Sequence, residues 1–176
     1  EVFRGKSSVA WKDIKMTKEI FSAEVLKAEK SLYHIAKSIL TNDEDCADAI
    51  QSAILSAYSR LDTLKEERYF KTWLTRILIN ESYTLLRKRR DVLSYEDYFK
   101  ETAGEETEHC PELWQEIAGL KEEYRIPVVL YYVEGYSMKE IAKMLNVTEG
   151  SIRTRLYRGR NQLRERLKGV AGYGAE

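Results

Sequence analysis

The stretch "SMKEIAKMLNVTEGSIRTRLYRGRNQLRERL", Ser137 to Leu167, reads as two helices hinged at Asn146-Val147. Ser137 and Glu140 form the S-x-x-E capping box that opens the first helix, with Ile141, Ala142 and Leu145 on its inner side. Asn146 falls where the chain must turn sharply, and Asn tolerates the left-handed conformation better than any residue except Gly. Thr148 can then cap the second helix, and Glu149 in its first turn suits the helix dipole. Two short helices joined so tightly match a helix-turn-helix unit, whose second helix enters the DNA major groove.

A helical wheel at roughly 100° per residue divides the second helix. Ile152, Leu156, Leu163 and Leu167 fall on one stripe that must pack inward, and Gly159 on the same stripe permits close helix approach. The opposite side presents Ser151, Thr154, Arg158 and Asn161. Arg153, Arg160 and Arg164 flank it on one edge, Arg155 and Arg166 on the other. A hydrogen-bonding centre with cationic edges suits a groove whose floor carries bases and whose walls carry phosphates.

Outside this segment, composition narrows the alternatives. The 176 residues include only nine Gly and two Pro, too few turn-formers for an all-β fold, so an all-α chain is expected. Formal net charge is zero, but as an average over unlike segments. Lys65 to Arg90 is basic, Asp91 to Glu123 holds eleven acidic residues against two Lys, and Arg153 to Lys168 has seven basic residues against one Glu. The pattern suggests two cationic surfaces and an acidic connector. No apolar run reaches the roughly 18 residues of a membrane span, and no signal-peptide pattern opens the chain. Cys46 and Cys110 lie far apart, and with only His34 and His109 beside them no metal pattern emerges. No catalytic nucleophile-base pair or phosphate-cradling glycine loop is present, so neither catalytic nor metal residues, and no cofactor, are assigned.

Helical periodicity accounts for the rest. Phe21 to Leu40 repeats apolar residues at Phe21, Val25, Leu32, Ile35, Ala36 and Ile39, and "TND" (41–43) stops that helix and caps the next. In the next helix Ala47, Ile50, Ile54, Tyr58 and Leu61 form the expected inner stripe. A third helix runs from about Tyr69 to Arg90, with Phe70, Trp73, Leu74, Ile77 and Leu78 on its apolar side and "RKRR" at its end. Pro127 is expected near the start of a later helix, and Gly135 closes the apolar run Val128 to Val133.

At this point a family resemblance is visible. "YYVEGYSMKEIAKMLNVTEGSIRTRLYRGRNQL" (131–163), preceded by Tyr124-Arg125, resembles region 4 of bacterial RNA polymerase sigma factors of the extracytoplasmic-function (ECF) group. "LYHIAKSILTNDEDCADAIQSAILSAYSRL" (32–61) and "YFKTWLTRILINESYTLLRKRR" (69–90) resemble their region 2, in the expected order. The resemblance implies two small helical domains: a three- to four-helix region 2 over 21–90 and a helix-turn-helix region 4 over 112–170. An acidic linker, 91–111, would join them, and residues 1–20 would be an extension outside the fold.

The same resemblance implies roles. Asp48 and Gln51 match positions that dock on the β′ clamp coiled coil of core polymerase, and region 4 would meet the β flap. Trp73 and Asn80 match the "TWL-x-x-I-x-x-N" signature next to the loop, 64–69, that captures a base of the melted minus-10 strand, with Lys71, Arg76, Arg87 and Lys88 as nearby cations. Aromatic faces, an amide and cations are what a flipped base needs in return for lost stacking. Arg153, Thr154, Tyr157 and Arg158 match the minus-35 readers, with Ser151 and Arg155 as auxiliary contacts. The expected partners are core polymerase, promoter DNA and an anti-sigma protein, with no small-molecule substrate. The location would be cytoplasmic, or at the membrane through a membrane-anchored anti-sigma protein. The competing interpretation is a stand-alone regulator with a helical sensor domain ahead of its helix-turn-helix; an enzyme is a distant third.

Overall fold

The computed structural model describes residues 16–40, 42–92 and 111–171; the linker core, His109, Cys110 and the N-terminal extension as far as residue 15 lie outside the described residues. Among the described residues seven α-helices follow in order: α1 (Lys18–Ile39), α2 (Asp43–Ser59), α3 (Phe70–Val92), α4 (Pro111–Ala118), α5 (Glu122–Val128), α6 (Met138–Leu145) and α7 (Glu149–Ala171). Two 3₁₀ turns, Leu61–Thr63 and Glu67–Tyr69, link α2 to α3, and a π turn, Val129–Val133, extends α5. Among the described residues there is no strand.

The helices begin where capping chemistry permits. Thr17 Oγ1 accepts the Ile20 N–H at 3.3 Å, and Asn42 Oδ1 accepts the Asp45 N–H at 2.6 Å. Asp43, Glu44 and Asp45 crowd the first turn of α2, where the helix dipole favours negative charge. Asp45 is fully buried and receives two guanidinium hydrogen bonds from Arg89, Nη2 at 2.7 Å and Nε at 3.1 Å. Arg89 of the basic run therefore ties the end of α3 to the start of α2.

The inner stripe of α2 differs from expectation. Its buried residues are Cys46, Ala49, Ala53 and Ala57; Ala47 is exposed, Tyr58 is 42 % exposed, and Ile50, Ile54 and Leu61 are half-buried. Small side chains let α2 lie close against α1 and α3, and closeness rather than side-chain size selected the buried face. Periodicity counted the bulky residues and so chose a face rotated by one position.

Pro127 also departs from its expected place. It lies inside α5, five residues after Glu122, rather than in the first turn. It donates no N–H, and the ladder after it is irregular: the Val129 N–H is shared between Arg125 O and Ile126 O, and the backbone widens into the π turn. The Glu134 N–H reaches back to Val129 O at 3.0 Å, and Gly135 then takes φ 75°.

One apolar cluster runs through both halves, from Leu32, Ile35 and Leu78 to Ile126, Leu130, Ile141 and Ile152. Polar contacts accompany it. Buried Arg125 of α5 donates from Nε to Ser38 O at 2.7 Å, in the last turn of α1, where the helix dipole favours a cation. Thr75 of α3 and Tyr136 share a buried hydroxyl hydrogen bond of 2.8 Å. α5, the π turn and α6 therefore pack directly on α1 and α3, and α7 packs on α4, α5 and α6.

Candidate nucleic-acid interface

The turn between α6 and α7 has the geometry its sequence implies. Asn146 adopts φ 54°, ψ 46°, the left-handed conformation, and the Val147 N–H closes on Ala142 O at 3.0 Å. At the start of α6 the Glu140 N–H donates to Ser137 Oγ at 3.3 Å, and the Ser137 N–H donates to Glu140 Oε2 at 2.9 Å. The Ser137 hydroxyl, which donates to Glu140 Oε2 at 2.7 Å, and then the Ser137 N–H hold the Glu140 carboxyl below its ordinary pKa. Thr148 Oγ1 accepts the Ser151 N–H at 3.1 Å and so caps α7.

α7 is oriented by its inner stripe. Ile152 and Leu156 are buried, and Leu163 and Leu167 half-buried. Gly159 is buried, and a Cβ there would meet Val128 Cγ2 at 2.8 Å and Tyr124 Cβ at 3.3 Å. Arg153, Thr154, Tyr157 and Arg158 are all exposed on the other side, Tyr157 by 60 %. Ser151 and Arg155 are half-buried. Arg155 stands between two cavities: one between the halves, lined also by Tyr83, Glu122, Ile126 and Pro127, and one shared with Ser151, Thr154 and Arg158. Burial, with the Glu122 carboxylate alongside, pushes the Tyr83 phenol up to about 12. Arg166 is likewise engaged, donating to Gly119 O at 2.8 Å and holding α7 on α4.

The first cationic surface lies on α3. Trp73, Arg76, Asn80 and Arg87 recur at three-, four- and seven-residue steps, so they line one strip of the helix. Trp73 is half-buried beside Phe70, ring centroids 6.1 Å apart, while Arg76, Asn80, Arg87 and Lys88 are exposed. Lys71 is not with them. It lies roughly 160° round the helix from Trp73. Its Nζ sits 3.3 Å from Glu134 Oε2 and 5.3 Å from the Tyr136 ring centroid, on the side that meets α5 to α6.

Asp48 and Gln51 are exposed on α2. Sequence reasoning passed over their neighbour Leu55, four residues after Gln51 and 70 % exposed, although its spacing from both polar residues puts it on their face. An exposed large aliphatic ringed by polar side chains has the anatomy of a docking surface. Glu134 was also missed, because its partners are about a hundred residues away: Ser31 Oγ donates to Oε2, and His34 Nδ1 lies 3.1 Å from Oε1. These hydrogen bonds and the Lys71 ammonium outweigh burial and lower the Glu134 pKa. Among the described residues no group of three or more His, Cys, Asp or Glu could hold a metal ion.

The fold and its surfaces define a class, a multi-helix DNA-binding factor with a helix-turn-helix at its C-terminal end. Comparison with known proteins narrows it. The families described as Sigma-70 region 2 and Sigma-70, region 4 match residues 25–92 and 111–163. ECF RNA polymerase sigma factor SigW of Bacillus subtilis is 30% identical over 160 residues, covering 78% of this chain and 83% of the relative. ECF sigma factor SigM of Mycobacterium tuberculosis is 31% identical over 150 residues, covering 82% and 75%. The sigma factor RpoE of Bartonella quintana, solved in complex with the anti-sigma factor NepR, superposes with a TM-score of 0.74 at 27% identity, covering 84% of this chain and 96% of that one. CnrH in complex with the cytosolic domain of CnrY gives 0.65 at 25% identity, covering 87% and 90%. The chain belongs to the ECF sigma factors of the sigma-70 family.

Proposed function

We propose that this sigma factor binds core polymerase through the α2 face of Asp48, Gln51 and Leu55. On that complex it places α7 in the major groove of the minus-35 duplex and holds the melted minus-10 strand on α3. One observation carries the reading. Arg153, Thr154, Tyr157 and Arg158 project to solvent from a helix whose opposite side is anchored by Ile152, Leu156 and Gly159. Such a helix presents forked donors and a hydroxyl as one rigid group, as base-edge recognition requires. Trp73, Asn80 and the cations of the same strip supply stacking, amide pairing and phosphate neutralisation for a single strand. Arg155, half-buried, serves as a flank contact to the backbone.

The sigma factor RpoE of Bartonella quintana was solved bound to the anti-sigma factor NepR, and a partner of that kind is proposed here as well. No helix among the described residues is long and apolar enough to cross a membrane, and we place the action of the protein in the cytoplasm, where promoter DNA is. Run-off transcription with purified core polymerase and a promoter library tests the proposal. The expected result is initiation at a defined set of promoters; tight duplex binding by the chain alone, with no core-dependent initiation, would instead favour a stand-alone regulator.

A further inference from the structure

Between α5 and α7 lies a cleft of about 370 Å³. Gly150, Ser151, Thr154, Arg155 and Arg158 of α7 line it, and α5 adds one carboxylate from its first turn, Glu123. Glu123 and Arg155 also line the neighbouring cavity beside Tyr83, so this acid and this guanidinium are neighbours on both sides. The Glu123 side chain is exposed and, among the described residues, makes no hydrogen bond or ion pair. The dipole of α5 does not depend on it, since Glu122 occupies the same first turn. An unpaired carboxylate beside the arginines of a DNA-reading helix weakens their attraction for phosphate, and that effect needs a reason.

Without Glu123 the cleft would be an anion seat. The start of α7 supplies the positive end of a long helix, Ser151 and Thr154 supply hydroxyls, and Arg155 and Arg158 supply guanidinium forks. Gly150 leaves the backbone bare, because a Cβ there would touch only Thr148 Oγ1, at 3.9 Å. Duplex DNA offers phosphates along its whole length, whatever its sequence. When base contacts seat α7 in the groove, the duplex meets Arg155 at the rim and the cleft behind is passed over. When the bases do not match, charge alone fixes the duplex, and a phosphate settles where most donors converge. A carboxylate at that point opposes the second arrangement far more than the first.

We propose that Glu123 is a specificity-determining residue of the minus-35 interface: it bars DNA phosphates from the α5–α7 cleft and so holds down binding to unmatched duplex. The proposal rests on the reading of α7 as the minus-35 helix. Discrimination is a difference of affinities, and weakening the wrong complex widens it as surely as strengthening the right one. Glu123 supplies the repulsive part, while Thr154 and Arg158 supply base contacts that only a matched site rewards.

The test uses the full chain assembled with purified core polymerase, unchanged and as E123Q, E123D and E29Q. E29Q removes the same charge from an exposed position on α1, far from the cleft in sequence and outside its lining. Fluorescence anisotropy follows binding to a duplex whose minus-35 element comes from the promoter library, and to the same duplex with that element scrambled, from low to moderate salt. For E123Q, affinity for the scrambled duplex should rise about 3- to 10-fold at low salt. Its logarithmic salt slope should steepen by about 0.9, the value of one added phosphate, and affinity for the matched duplex should rise less. E123D and E29Q should keep the unchanged ratio of matched to scrambled affinity. Equal gains on both duplexes, or a ratio that E123Q leaves unaltered, would overturn the role of Glu123. So would an E29Q effect as large as that of E123Q, which would reduce it to net charge, or a lowered thermal midpoint as the only change. If the unchanged assembly itself showed no preference for the matched duplex, the minus-35 reading of α7 would fall, and this role with it.

Discussion

Arg158 carries the most direct wager at the residue scale. It is exposed on α7 and no partner residue anchors the fold through it, so Arg158→Ala should weaken minus-35 binding by about 5- to 150-fold, the equivalent of about 1–3 kcal/mol. Core binding should be unchanged; parallel loss of both in anisotropy titrations would make the residue structural. Gly159 offers the converse. Its absent Cβ is what lets α7 approach α5, and Val128 Cγ2 would lie 2.8 Å from it. Gly159→Val should cost about 1–3 kcal/mol through overpacking, read as a lowered denaturation midpoint. The arginines themselves divide by geometry. Arg153 and Arg158 face water, half-buried Arg155 lines both the cavity between halves and the one beside Thr154 and Arg158, and Arg89, Arg125 and Arg166 spend their forks on Asp45, Ser38 O and Gly119 O. The amino-acid letter is the same in all six; only position in the packed molecule assigns the task.

Elements stand or fall by their ends. α6 is eight residues long and closed by Ser137 at one end and left-handed Asn146 at the other. Ser137→Ala removes the hydroxyl acceptor of the capping box and should cost about 1 kcal/mol. Asn146→Val forces a β-branched residue to φ 54° and should cost about 1–2 kcal/mol, whereas Asn146→Gly should be tolerated. Chemical denaturation of the three variants checks the order. Most of this was legible beforehand, because caps and turns involve residues three or four positions apart and their chemistry is local. The inner face of α2 was not. Ala49, Ala53 and Ala57 line it because α1 and α3 press close, and no property of α2 alone reveals how close its neighbours come.

For the whole molecule, electrostatics gives two tests. DNA affinity should fall steeply between low and moderate salt if the proposed α3 and α7 surfaces work partly by displacing counterions; a flat response would remove the cationic surfaces from the account. Acidity should act on the Glu134 cluster between the halves. The Glu134 pKa is lowered in the folded chain, by His34 and Ser31 hydrogen bonds and by Lys71. The unfolded or opened state therefore binds the proton more readily, so this contribution is present above the ordinary carboxylate range of about 4.3 and is lost as pH falls through the lowered value. A lower thermal midpoint on acidification below about pH 4, restored on neutralisation, is the expected result. In the alkaline range the sign is opposite. Burial raises Tyr83 and Tyr136 from 10.0 to about 12, so stability should decline as pH rises between those values. Thermal midpoints measured across that interval should drop, and Tyr83→Phe should flatten the drop.

Local sequence determined the helices, the capping box, the left-handed turn and the outward placing of Arg153, Thr154 and Arg158, since each depends on spacing within one or two helical turns. Tertiary structure alone decided that Lys71 would turn from the Trp73–Asn80 strip toward Glu134, that Leu55 would stand clear of the core, and that His34 and Ser31 would meet a carboxylate some hundred residues away. Those outcomes are set by how whole helices share one apolar core. A side chain's partner is then whatever that packing brings within reach.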